Sequence, residues 1–241
     1  MSGNDDEEEK NYPEEEIVLT GNKTIDLAIR STLAGFDATI DTTWDGRPLT
    51  CEPITFHMEW LFERRDGAPH KRALKCFMHA PFFDEPPPDE LPGITPGLWN
   101  YEVFELFLSN GRDQYVEIEV GPHGHWLVLL HDGYRKCFND GEELELQVQN
   151  TWAGSTWQCC FEIPLAYLPG GVNKINAYHI HGPPEAREYK ALSPCTDGTL
   201  EEPDFHRTKY FQKFNLHSVI PHTYGSTPFR DFKYDNFWDG H

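Results

Sequence analysis

Apolar and polar residues alternate with a period of two over long stretches of this chain, a pattern that predicts strands. It is clearest between residues 99 and 131, which read as three consecutive antiparallel strands. Residues 99–108 run into Asn110-Gly111, a strong hairpin signal. Residues 114–120 run into Pro122-His123-Gly124, and residues 126–130 complete the meander. In the middle strand Val116, Ile118 and Val120 share one face, while Tyr115, Glu117 and Glu119 share the other. In the first strand Phe104, Leu106 and Leu108 oppose Trp99, Tyr101 and Glu105. One side of the predicted sheet therefore gathers aromatics and carboxylates.

Further strands are predicted at residues 38–43, 54–60 and 74–79, then at 144–148, 157–163 and 175–181. Between the third and the meander lie residues 84–97, with prolines at 86, 87, 88, 92 and 96, which forbid regular structure. Beyond Gly182 the pattern is irregular. Four segments follow: an acidic head (1–16) expected to be disordered, an N-terminal extension (17–37), a β domain (38–220) and an aromatic-rich tail (221–241). Within the extension, Ile25, Ile29 and Leu33 repeat every four positions and predict a short helix over 23–34.

Composition narrows the function classes. The 241 residues suffice for one all-β domain, and the 38 Gly and Pro fit many turns. The net charge of −20 repels phosphate backbones and argues against nucleic acid. No apolar run approaches the roughly 20 residues of a membrane span, so no membrane partner is expected. The acidic N-terminus fits neither a signal nor a transit peptide, so a cytoplasmic location is expected, with the nucleus as an alternative. The six cysteines lack a CxxC spacing and are expected to be free thiols. Neither a nucleophile elbow nor a phosphate-binding or dinucleotide glycine motif occurs.

Residues 44–216 resemble an uncharacterised family of intracellular open-reading-frame proteins of animals (uncharacterised protein family 0462). The matching motifs are Thr43-Trp44-Asp45-Gly46, Ala80-Pro81-Phe82-Phe83, Leu98-Trp99-Asn100-Tyr101-Glu102-Val103, Gln114-Tyr115-Val116-Glu117-Ile118-Glu119, Pro122-His123-Gly124, Ile180-His181-Gly182, Tyr189-Lys190-Ala191-Leu192 and Pro203-Asp204-Phe205-His206. A wider resemblance is to family nine carbohydrate-binding modules and DOMON-like β-sandwiches. It rests on Trp99, Glu102 and Glu105, on Glu162-Ile163-Pro164, and on Asp204-Phe205-His206 followed by Phe211. The wider resemblance implies an antiparallel β-sandwich whose ligand site lies along one sheet or at its rim. Aromatic faces would clamp a sugar ring there, and Trp99 and Glu105 are the positions carried over.

The expected function is non-catalytic binding of a carbohydrate or related polar ligand. Trp99, Tyr101 and Tyr115 would supply rings, and Glu102, Glu105, Glu117 and His123 would supply hydrogen bonds. The plain alternative is a solvated sheet face. Glu117 and Glu119 lie on one face and would suit glycoside hydrolysis, although such pairs are common on solvated strands. Two other classes stay open. One is a protein-interaction module with a protein partner. The other is a metal-dependent enzyme using His179, His181 and His206. No cofactor is implied.

Overall fold

The structure, a computed structural model, describes residues 35–67, 71–221 and 237–241. The predicted acidic head, the helix at 23–34 and most of the aromatic tail lie outside the described residues. Thirteen strands are described: β1 (Phe36–Ile40), β2 (Thr42–Thr43), β3 (Ile54–Glu63), β4 (Lys71–Pro81), β5 (Val103–Asn110), β6 (Gln114–Val120), β7 (Trp126–Asp132), β8 (Cys137–Asn139), β9 (Gln147–Ala153), β10 (Thr156–Pro164), β11 (Val172–His181), β12 (Glu188–Ala191) and β13 (Gln212–Lys213). The helical segments among the described residues are single 3₁₀ turns.

Two antiparallel sheets form. One runs β1-β3-β4-β10-β9; the other runs β2-β12-β11-β5-β6-β7-β8, with β13 also pairing to β11. They enclose one core. Strand β10 shows the cause most simply, because Trp157, Cys159, Phe161 and Ile163 are buried while the residues between them stay partly exposed. From the facing sheet come Phe104, Leu106 and Leu108 of β5 and Val116, Ile118 and Val120 of β6. The fold is thus the all-β sandwich expected from the sequence. Trp238 of the tail packs into the core, its Nε1–H donating to the Tyr167 carbonyl at 3.3 Å.

The meander forms as predicted, with Glu105 opposite Glu119 and Tyr115 opposite His131. Its first hairpin uses Asn110 through the side chain: Oδ1 accepts from the N–H groups of Arg112 (2.8 Å) and Gln114 (3.1 Å). Asp113 adopts the left-handed conformation that closes the turn. The 144–148 prediction lands late, since the strand occupies Gln147–Ala153. Strands β8, β12 and β13 are too short to carry a periodic signal.

One difference decides where a site can be. Strands β5 and β6 are buried on both faces, instead of showing one face to water. The covering comes from the 3₁₀ turn Leu98–Asn100 and from residues 182–211, which lie over the outer face. They bury a second cluster of Phe107, Tyr115, Tyr178, Ala191 and Phe211 and a third of Leu98, Val103, Leu127 and Ile180. The carboxylates of β5 and β6 are enclosed with them.

Candidate functional site

Between the outer face of the larger sheet and this cover lies a cleft of about 760 Å³. Glu105 of β5, Glu117 of β6 and Leu129 and His131 of β7 line it from the sheet; Trp99, Arg135, Arg187, Phe205 and His206 line it from loops. Each loop is pinned. The Arg187 guanidinium donates to the carbonyls of Gly182 (2.7 Å), Trp99 (2.8 Å) and Tyr101 (2.5 Å), tying the Trp99 turn to the loop after β11. Asp204 accepts from Tyr134 Oη (2.8 Å), Arg207 Nε (2.7 Å) and Arg135 Nη2 (3.2 Å). Phe205 stacks on Tyr178 at 3.8 Å, so the Pro203–His206 motif is a clamp that sets His206 over the sheet.

The floor is polar and enclosed. Glu105 is 2 % exposed and Glu117 4 %. Burial raises the Glu105 carboxyl well above the usual range, and the neighbouring Glu117 raises it further. Both effects favour the protonated form of Glu105, which donates as well as accepts. Glu119 behaves alike: burial and the charges of Glu105 and Glu117 push it up. Neither of its oxygens completes a hydrogen bond, and the Trp99 backbone N–H offsets only part of the cost. His131 Nε2 lies 2.9 Å from Glu117 Oε2, and its ring stacks on Tyr115 at 4.5 Å. The Tyr115 hydroxyl accepts from the Arg135 N–H (3.1 Å), so its own proton goes to His206 Nδ1 (2.9 Å). Burial pushes His206 down to about 4, in keeping with an accepting, neutral ring.

The structure sorts the residues expected from the sequence. Trp99, Glu105 and Glu117 line the cleft, with Trp99 46 % exposed at its edge. Tyr115 lies beneath, holding His206. Tyr101, Glu102 and His123 belong elsewhere, because they surround a small cavity under the proline loop. There Glu102 accepts from the N–H groups of Phe83 (3.0 Å) and Glu85 (3.5 Å), and His123 Nε2 donates to the Glu85 carbonyl (3.1 Å). Glu102 and His123 thereby anchor the start of the proline loop at Phe83 and Glu85. Trp99 and Tyr101 do not extend β5, because Leu98–Asn100 turns as a 3₁₀ helix after Gly97 at φ +82°. Glu119 is sealed under the cover and does not line the cleft, so it shares no open gap with Glu117.

The histidine trio His179, His181 and His206 does not assemble. His179 stands opposite Phe104, on the core side of β11, while His206 lies over the opposite face. His179 sits between Phe83 and Trp157, and His181 stacks on Phe83 at 3.5 Å. Cleft residues the sequence did not point to are His131, Arg135, Arg187, Tyr189 and Phe205. For His131 a signal existed: it follows Leu127 and Leu129 at strand spacing and so shares the face of Tyr115.

Sandwich topology, a covered outer sheet and a cleft of buried carboxyls and half-exposed aromatics define the class as an antiparallel β-sandwich with a polar cleft on its outer face. Comparison with known proteins gives the family. The chain is 38 % identical over 190 residues to the UPF0462 protein C4orf33 homolog of Danio rerio, covering 76 % of this chain and 91 % of that protein. It is 35 % identical over 193 residues to the Homo sapiens protein, covering 76 % and 90 %. The chain belongs to the UPF0462 (C4orf33) family. No family model matches it. Among solved structures, a candidate carbohydrate-binding protein from Bacteroides uniformis shares the fold at TM-score 0.52 and 17 % identity, over 79 % of this chain and 89 % of that one. A family 9 carbohydrate-binding module from Caldicellulosiruptor kristjanssonii, in complex with glucose, aligns at TM-score 0.41 and 12 % identity, over 70 % and 78 %, too loosely to carry weight.

Proposed function

We propose that this protein binds a carbohydrate or a closely related polyhydroxylated ligand, without transforming it, in the cleft on the outer face of the larger sheet. The observation that carries this is the pairing of a half-exposed indole, Trp99, with the buried floor acids Glu105 and Glu117 in one 760 Å³ space. A sugar ring offers an apolar face to an indole and a rim of hydroxyls to polar groups, and pockets of roughly 300–1,000 Å³ suit small ligands. Burial favours the protonated form of Glu105, which gives and takes hydrogen bonds with hydroxyls. Arg135 and Arg187 add donors at the walls. The resemblance of Trp99 and Glu105 to clamp and hydroxyl-binding positions of sugar-binding modules supports the same reading.

The test is a thermal-shift screen against monosaccharides, oligosaccharides and nucleotide sugars. A ligand at a hundredfold excess over its Kd stabilises by about 2.7 kcal/mol, roughly 5–10 °C for a chain of this size. A hit that disappears in Trp99→Ala, with the unliganded Tm unchanged, supports the proposal. A hit that survives Trp99→Ala places the ligand elsewhere and refutes it.

A further inference from the structure

Three side chains on the cleft floor converge in a way that sugar binding does not require. Glu117 of β6 and His131 of β7 are diagonal neighbours on adjacent strands, offset by two residues, since His131 stands opposite Tyr115 and Glu117 opposite Leu129. His206 descends from the Asp204-pinned loop. His131 Nε2 lies 2.9 Å and His206 Nδ1 3.9 Å from the same Glu117 Oε2. One ligating atom from each residue lies within 4.8 Å of the other two. Glu117 and His131 are buried and His206 is partly so, yet all three face the cleft. We propose that Glu117, His131 and His206 form a binding site for a divalent first-row transition-metal ion such as zinc, with a coordination position left open towards the cleft.

The donor set fits this class of ion. Two imidazoles and one carboxylate suit zinc or ferrous iron and disfavour the all-oxygen shells of calcium and magnesium. Bonds of about 2.0–2.1 Å from one ion to three donors place the donors roughly 3.3 Å apart, within small side-chain shifts of the distances here. The framework around the ligands is fixed in advance. The Tyr115 ring backs His131, and the loop that carries His206 is pinned by Asp204 and by the stack of Phe205 on Tyr178. An ion would replace the proton between His131 and Glu117 and the one Tyr115 gives His206. The positive charge opposing it is Arg135, and Asp204 already pairs with that guanidinium at 3.2 Å. The site stands whether or not the cleft takes a sugar.

The experiment uses the full chain, stripped with a chelator, titrated with Co²⁺ and Zn²⁺ alone and followed by Co²⁺ absorption and calorimetry. The expected result is one ion per chain, with visible d–d bands. Affinity should fall at least tenfold in His131→Gln and in His206→Gln, and stay unchanged in His57→Gln, whose ring pairs with Asp37 away from the cleft. Failure of the wild type to bind either ion, or wild-type affinity in both ligand variants, overturns the proposal. If the variants unfold, X-ray absorption of the zinc-loaded wild type decides: two imidazoles support the site, and any other number overturns it. A failed sugar screen does not touch this test, because the metal is the only probe.

Discussion

Glu102 makes a sharp test of the electrostatics, because it is sealed under the proline loop at 2 % exposure and its ionisation is opposed there. Burial lifts its carboxyl from 4.5 to about 7, against the two backbone N–H groups that favour the charged form. The native state therefore holds a proton that the unfolded chain releases above about pH 4.5. Stability from this group is fully present below that pH and is lost as pH rises through the folded value near 7. With about 1.36 kcal/mol per unit, the loss between pH 5 and pH 8 comes to about 2 kcal/mol. The amide of Glu102→Gln has no proton to lose and keeps an oxygen for the Phe83 N–H. The Glu102→Gln protein should thus lose about 2 kcal/mol less than the wild type between pH 5 and pH 8, measured by urea unfolding at both. In Tm this is about 4–8 °C. His181, pushed down to about 4 by burial, has the opposite slope, and Glu105 and Glu119 have the same slope as Glu102. All three remain in both proteins and cancel in the comparison. Parallel pH profiles for the two proteins would refute the reasoning.

The other predictions concern packing and the cover. His179 is fully buried with neither ring nitrogen hydrogen-bonded, so His179→Leu should raise stability by about 1–2 kcal/mol in chemical denaturation, and a loss would show a hidden partner. Trp157 fills the core and donates to Asn150 Oδ1 at 2.8 Å; Trp157→Ala should cost about 3–5 kcal/mol by the same assay, and less than about 2 would mean the core closes over the gap. Arg187→Ala removes the three carbonyl contacts that hold the Trp99 turn and should cost about 2 kcal/mol. Hydrogen exchange in that variant should rise at residues 98–101 and 182–187; unchanged exchange there would show the turn is held by other contacts.

Much of the sandwich was legible because strand side chains alternate. The two faces of β5 and β6 follow from Phe104, Leu106 and Leu108 against Glu105, and from Val116, Ile118 and Val120 against Glu117. What alternation does not reveal is what covers a face. Residues 182–211 hold their place through single contacts, such as Arg187 to the Trp99 carbonyl and Asp204 to Tyr134, not through a periodic apolar stripe. The cleft walls were therefore hidden, though Trp99, Glu105 and Glu117 were visible. The histidines show the same boundary. His179 and His181 share a face by spacing, but Ile175 and Ala177 on their side and Tyr178 and Ile180 on the other are all apolar. Only the register against Phe104 shows that the histidines face the core. Tyr101, Glu102 and His123 were displaced by a turn: once Leu98–Asn100 coils, strand parity no longer applies before Val103.

The most direct test of the proposed function is to titrate the isotope-labelled protein with saccharides and follow the tryptophan indole N–H resonances by NMR. Trp99 lies in the cleft, Trp157 in the core and Trp152 on the exposed edge strand of the other sheet, half-exposed like Trp99. The prediction is that a saccharide which binds shifts Trp99 in a saturable way and leaves Trp152 and Trp157 in place. Saturable binding that moves Trp152 and not Trp99, or no saccharide that moves Trp99 at all, would contradict it.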